Sequence, residues 1–109
     1  MSIEKKIQEK ALVAPRVTLE DIRANIKSVH YINAGGAIHD YESNTPVGPL
    51  DLLTFCVIVL KNGFTVTGES ACVSPDNFNE EVGREVAYDN AINKIWPLMG
   101  YALKEKLSQ

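Results

Sequence analysis

From Leu52 through Leu60 the chain is apolar at odd and even positions alike, interrupted only by Thr54, whereas Phe64 to Ser70 alternates with Thr65, Thr67 and Glu69. The first pattern predicts a strand covered on both faces and the second a strand with one face to water. Asn62-Gly63 stands between them, and only residues tolerant of positive φ fit a two-residue turn whose twist matches paired strands. The pattern therefore reads as a hairpin in which Cys56 stands opposite Glu69 and Leu53 opposite Cys72. Covering both faces of its first strand takes helices on one side and a second subunit on the other.

Upstream, Ile3, Ile7 and Leu12 give a weak helical rhythm that stops at Ala14-Pro15, so residues 1–17 read as an arm, mobile or helical, ahead of a single domain at 18–109. Thr18 is placed as an N-cap with Asp21 as the capping-box acid, and Leu19, Ile22 and Ile26 share a face, which predicts a short helix from about 19 to 28. Val29-His30-Tyr31-Ile32 reads as a strand, and the turn formers across residues 33–50 as a long, mobile loop. Downstream, the main helix starts either at Pro75, capped by Ser74, or at Phe78, capped by Asn77 with Glu80 reaching back. It runs to Trp96, where Pro97 interrupts it, and Leu98 to Leu107 resumes as a kinked or separate final helix. The expected fold is α+β: a small antiparallel sheet built on the central hairpin, packed against a long C-terminal helix and a short N-terminal helix, and oligomeric.

Composition narrows the partners. At 109 residues the chain forms one small domain with a modest core, which self-association would supplement. A net charge of −3 and a pI of about 5.3 exclude a general DNA, RNA or membrane-surface binder, because polyanions require a surplus of Lys and Arg. The charged start, Met1 to Lys6, lacks the apolar core of a secretion signal, and no run approaches the roughly 18 apolar residues of a membrane span, so the expected setting is the host cytoplasm. The two cysteines, Cys56 and Cys72, are offset by three residues in the expected register, too far for a disulfide, and read as small reduced hydrophobes.

The chemistry-bearing side chains are few. His30 and His39 lack metal-ligand spacing, Gly35-Gly36 is an isolated pair without a phosphate-cradling loop around it, and no Ser or Cys nucleophile has a paired base. No catalytic group, metal or cofactor is assigned. On a helical wheel Ala87, Tyr88, Ala91, Ile92, Ile95 and Trp96 share one semicircle, and Arg84 falls among them. A guanidinium on a packing face needs an acceptor: Glu81, Glu85 or Glu69 within the chain, or a phosphate from outside, with Tyr88 one turn further on. The other edge, with Asn79, Gly83, Val86, Asn90 and Lys94, suits a helix-to-helix dimer contact at Gly83, with Asn90 either solvated or reading a base or ribose edge.

Leu53 to Val57, Leu60 to Phe64, Gly68 to Val73, Asn77 to Gly83, Ala87 to Ala91 and Trp96 to Tyr101, with Ala14 to Thr18 and His30-Tyr31 upstream, resemble a family of small bacteriophage proteins, many of which carry no assigned function. The same hairpin-and-helix pattern is similar to the phage Thoeris anti-defence sponges. Those proteins sequester the cyclic ADP-ribose isomers made by bacterial TIR-domain enzymes, and some also capture cyclic oligonucleotides of the CBASS system. The resemblance implies a homodimer or larger homo-oligomer that binds a cyclic nucleotide signal and leaves it intact. It supplies no residue-by-residue contacts, so the candidate ligand residues come from the wheel and from residue type. Arg84 would meet a phosphate, Phe64, Phe78 or Tyr88 would stack on adenine, and Asn77 and Asn90 would add polar contacts at subunit boundaries. The alternative is a protein-interaction module that inhibits or redirects a host protein, docking through the apolar sheet face or the last helix.

Overall fold

Thr18 opens the first element: its Oγ1 accepts the Asp21 N–H at 3.0 Å while the Asp21 carboxylate accepts the Thr18 N–H at 2.9 Å, a reciprocal capping box. The computed structural model describes residues 14–38 and 48–109; Ile3, Ile7 and Leu12 of the arm and His39 lie outside the described residues. Helix α1 covers Leu19–Ala24 and buries Ile22 completely. It ends at Asn25, earlier than the spacing of Ile22 and Ile26 suggests, because Ile26 already belongs to strand β1, Ile26–Asn33. Sheet pairing overrides a shared helical face at this junction.

Strands β2 (Leu53–Leu60) and β3 (Thr65–Ala71) complete a three-stranded antiparallel sheet of order β1-β2-β3, with Lys27 bulged out of the first pair. The hairpin is real, but its register differs by one from the expected one. Leu60 N–H donates to the Phe64 carbonyl and Gly63 N–H to the Leu60 carbonyl, so the loop is Lys61-Asn62-Gly63, with Gly63 at φ +91°. Three-residue loops of this kind place a left-handed residue third, and the glycine identifies the turn without fixing its length. Cys56 therefore faces Gly68, Phe55 faces Glu69 and Leu53 faces Ala71. Cys72 lies outside β3, and both thiols are free.

The segment read as a loop after β1 starts with one helical turn, α2 (Ala34–Ala37), capped by Asn33, and closes with a 3₁₀ turn over Pro49–Leu52. Asn33 ties the two ends together, its Nδ2 donating to the Asp51 carbonyl at 2.8 Å. Neither predicted start of the main helix is the observed one. Ser74 caps a separate 3₁₀ turn at Pro75–Asn77, and helix α3, Glu80–Leu107, is capped by Asn79, whose Oδ1 accepts from Val82 N–H at 3.0 Å. Pro97 does not break α3. It sits on the solvent side, as does Asn93, whose carbonyl loses its helical donor and faces water.

Helix α3 lies across β2 and β3, and α1 closes the core at the other end, around Ile22, Cys56, Ile58, Leu60, Val66, Ala87, Ala91, Ile92 and Ile95. The tightest approach is at Gly68, where an added Cβ would overlap the Ala87 carbonyl oxygen and the Ala91 nitrogen. Gly83, expected to admit another subunit's backbone, instead admits Thr54 of the chain's own sheet, whose Oγ1 lies 3.3 Å from the place a Cβ would take. Thr54 is 3% exposed and its hydroxyl has no hydrogen-bond partner. On the other face of the sheet β2 presents Leu53, Phe55, Val57 and Val59, each half-buried, and no described element packs over them.

Two stability outcomes follow from these contacts. Gly68→Ala is expected to cost about 3 kcal/mol, the upper range for overpacking, because the obstacle is backbone and cannot swing away; urea unfolding of the two proteins measures it. Thr54→Val keeps the shape and removes a buried donor without a partner, so its unfolding free energy should hold or rise, by up to about 1 kcal/mol, read as an equal or higher urea midpoint with an unchanged slope.

Candidate ligand-binding site

The position of α3 over β2 and β3 leaves the helix-side face of β1 partly bare, and Arg84 projects over that gap. Its Cζ stands 5.7 Å from the centroid of the Tyr31 ring, within cation–π range. Tyr31 is 41% exposed and faces Cys56 across the β1–β2 pair. Tyr88, one turn beyond Arg84, is half-buried against the core. Arg84 also donates through Nη2 to Glu80 Oε1 at 2.8 Å, with both side chains about half exposed. The acceptor is therefore Glu80, one turn back on the same helix, rather than Glu81, Glu85 or Glu69. Arg84 and Tyr31 form a partly exposed shelf of cation over ring, with Tyr88 near enough to Tyr31 to act on its hydroxyl.

Burial pushes the Tyr31 hydroxyl above the ordinary tyrosine range, reinforced by Cys56 and Tyr88, while the Arg84 charge pulls the other way. Burial also raises the Cys56 thiol, and hydrogen bonding with Tyr31 lowers it in part. Both groups stay protonated near neutral pH, so the shelf carries the guanidinium charge beside a neutral Tyr31 phenol, a combination for binding a phosphate beside an aromatic ring.

The other sequence-predicted residues are elsewhere. Phe64 is 56% exposed near the hairpin tip, beside a cavity of about 240 Å³ that also touches Asn25, Asn62, Leu98 and Met99. Asn77 and Phe78 line a smaller hollow of about 170 Å³ between Ser70 and Cys72 on one side and the first turn of α3 on the other. Asn90 is committed within the chain, its Nδ2 donating to the Glu69 carbonyl at 2.8 Å, and Lys94 Nζ lies 3.4 Å from Glu69 Oε1. Both contacts tie that edge of α3 to β3.

Sequence reasoning missed Tyr31, whose outward position depends on how α3 crosses the sheet. It also missed a concavity of about 550 Å³, which runs between α1 and the last turns of α3 and is lined by Arg16, Val17, Asp21, Met99, Leu103 and Lys106 among others. It adjoins the Phe64 cavity through Asn25, whose Nδ2 lies 3.7 Å from Met99 Sδ. The signal was present in the spacing of Ile95, Met99, Ala102, Leu103 and Lys106, but it becomes a continuous stripe only if the helix passes through Pro97. Among the described residues no group of three or more His, Cys, Asp and Glu side chains is placed to hold a metal, and His30 Nε2 pairs with Ser28 Oγ at 3.0 Å.

No curated protein and no solved structure matches the chain. Residues 17–107 match a phage family whose description names no activity, and the match takes in every described strand and helix from α1 to the end of α3. The chain belongs to the phage protein (N4 Gp49/phage Sf6 gene 66) family.

Proposed function

We propose that the protein captures a cyclic nucleotide signal of bacterial immunity, a cyclic ADP-ribose isomer or a cyclic oligonucleotide, and holds it uncleaved in the host cytoplasm as an anti-defence sponge. The observation that carries this reading is the Arg84 guanidinium poised over the Tyr31 ring on an open shelf. Its pairing with Glu80 is an exposed i,i+4 contact, a type worth about 0.3–0.5 kcal/mol. A phosphate offering a charge-assisted, bidentate contact displaces such a partner readily. An adenine has Tyr31 and Tyr88 to lie against. The likeness to the Thoeris sponges supports the same class of ligand, and membership of a phage family supports the setting. On one chain the shelf is open on its outer side, so tight capture requires a neighbouring protomer to close it.

Calorimetry with cyclic ADP-ribose isomers and with cyclic di- and trinucleotides tests this reading. Binding should occur with at least one of them, fall by about a hundredfold in Arg84→Ala and by about tenfold in Tyr31→Ala, and return the ligand intact on chromatography. Absence of binding to all of them at micromolar concentrations overturns the proposal.

A second reading, a module that binds and redirects a host protein, is favoured by the exposed Leu98, Tyr101 and Leu107 along the last turns of α3 beside the 550 Å³ concavity. On this reading a pull-down from host lysate should retain one host protein stoichiometrically. Tyr101→Asp should abolish that retention, and denaturation should release no nucleotide.

A further inference from the structure

The guanidinium of the shelf is outnumbered by carboxylates. Glu80 and Glu81 open α3 and Glu85 follows Arg84, all of them exposed, so the first turns of the helix carry more negative charge than positive. Each of these groups repels the anion that Arg84 attracts. A site meant to gather negative charge for its own sake would not carry them, and their presence points to a ligand that brings hydrogen-bond donors along with its phosphate.

Glu80 differs from the other two in touching Arg84. Arg84 Nη2 donates to Glu80 Oε1 at 2.8 Å, and among the described residues neither Glu81 nor Glu85 pairs with the guanidinium. The Tyr31 ring lies against one face of the cation, and a planar guanidinium with five donors still keeps a free edge for a phosphate. A phosphate seated there shares the cation with the Glu80 carboxylate, so two sets of acceptor oxygens stand side by side. For a bare polyanion the repulsion persists even when the side chain swings aside, because Glu80 stays anchored one turn away. A phosphate joined to a sugar with free hydroxyls instead presents donors to that carboxylate. An ionised carboxylate only accepts, and an acidic side chain that takes ribose hydroxyls beside a bound diphosphate is a recurrent device of nucleotide sites. Glu80, about half exposed, is free to turn from the guanidinium to those hydroxyls.

Building on the shelf's reading as a phosphate site, we infer that Glu80 sets its specificity: it disfavours bare polyanions and admits a phosphate flanked by free sugar hydroxyls, which donate to its carboxylate. The ion pair of the empty shelf then has two uses. It steadies the guanidinium over Tyr31, and it keeps an acceptor beside the place the sugar will take.

ADP and 2′,3′-dideoxy-ADP share base and charge and differ in the sugar hydroxyls, so calorimetric titration of the full chain with each, to about 5 mM, tests the role of Glu80. The wild type should prefer ADP about tenfold, the low end for hydrogen bonds to a charged group. Glu80→Gln should bind the dideoxy compound about tenfold more tightly than the wild type does and hold ADP within about threefold, so that the preference disappears. Glu81→Gln and Glu85→Gln remove the same charge from the same stretch of helix and should keep the preference, because neither side chain meets Arg84. A wild type that binds the two compounds alike, or binds neither, overturns the inference. So does a Glu80→Gln protein that retains the preference, or a Glu81→Gln protein that loses it. If cyclic nucleotides bind while the two compounds bind alike, the role of Glu80 falls and nucleotide capture stands; a preference that Glu80→Gln abolishes, with no cyclic nucleotide bound, supports the role of Glu80 and removes nucleotide capture.

Discussion

Helix and sheet meet where a strand residue without a side chain lies against a helix face with almost none. Gly68 in β3 lets the backbone of α3 settle at Ala87 and Ala91, and a single methyl group there would collide with main-chain atoms. Ala87 and Ala91 are one turn apart and therefore stacked on the same face, so together with Gly68 they define a short groove that sets the height of the helix above the sheet. At that height Ile92 and Ile95 reach the layer of Cys56, Ile58 and Leu60, and Gly83 comes down on Thr54. Glu69 holds the same edge from outside, its carbonyl accepting from Asn90 and its carboxylate meeting Lys94. A larger residue at Gly68 would lift the whole helix, and every contact made by α3 would move with it.

Length is the second constraint. A helix of 28 residues extends about 42 Å, whereas eight-residue strands extend about 26 Å. The excess projects past the hairpin end of the sheet. Pro97 is tolerated within this helix because the missing hydrogen bond falls on the solvent side, and the core-facing stripe continues from Ile95 to Met99 without a change of phase. Helix α1 covers part of the projecting underside, and the space left between them is the 550 Å³ concavity.

The sequence was most legible where one local rule acted alone. The capping box at Thr18 and Asp21, the hairpin around Gly63, the strand alternation and the amphipathic C-terminal helix each depend on neighbours within a turn or two. Legibility failed where two local signals competed or where tertiary packing chose between them. Ile26 suits the face of α1 as well as the start of β1, and pairing with Leu60 decided it. Ser74, Asn77 and Asn79 are all competent caps; the first serves a 3₁₀ turn and the third the long helix. For the site, the wheel placed Arg84 correctly on the sheet-facing side, but a wheel carries no information about how far the sheet extends beneath it. Tyr31 could not be paired with Arg84 until the crossing of α3 over β2 and β3 was known, and the contact of Asn90 with the Glu69 carbonyl depends on the same crossing.

That crossing also explains how a guanidinium sits on a packing face without the cost of burial. A fully buried arginine needs a matched carboxylate to offset its desolvation, and the resulting pair is rigid and expensive to open. Arg84 lies where the helix has passed beyond the covered strands, so the surface beneath it is the Tyr31 ring and the surface beside it is water. The ring steadies the cation without neutralising it. Glu80 accepts from it through an exposed contact that screening weakens further. The same asymmetry, a helix confined to one part of one face, keeps the charge on that side available.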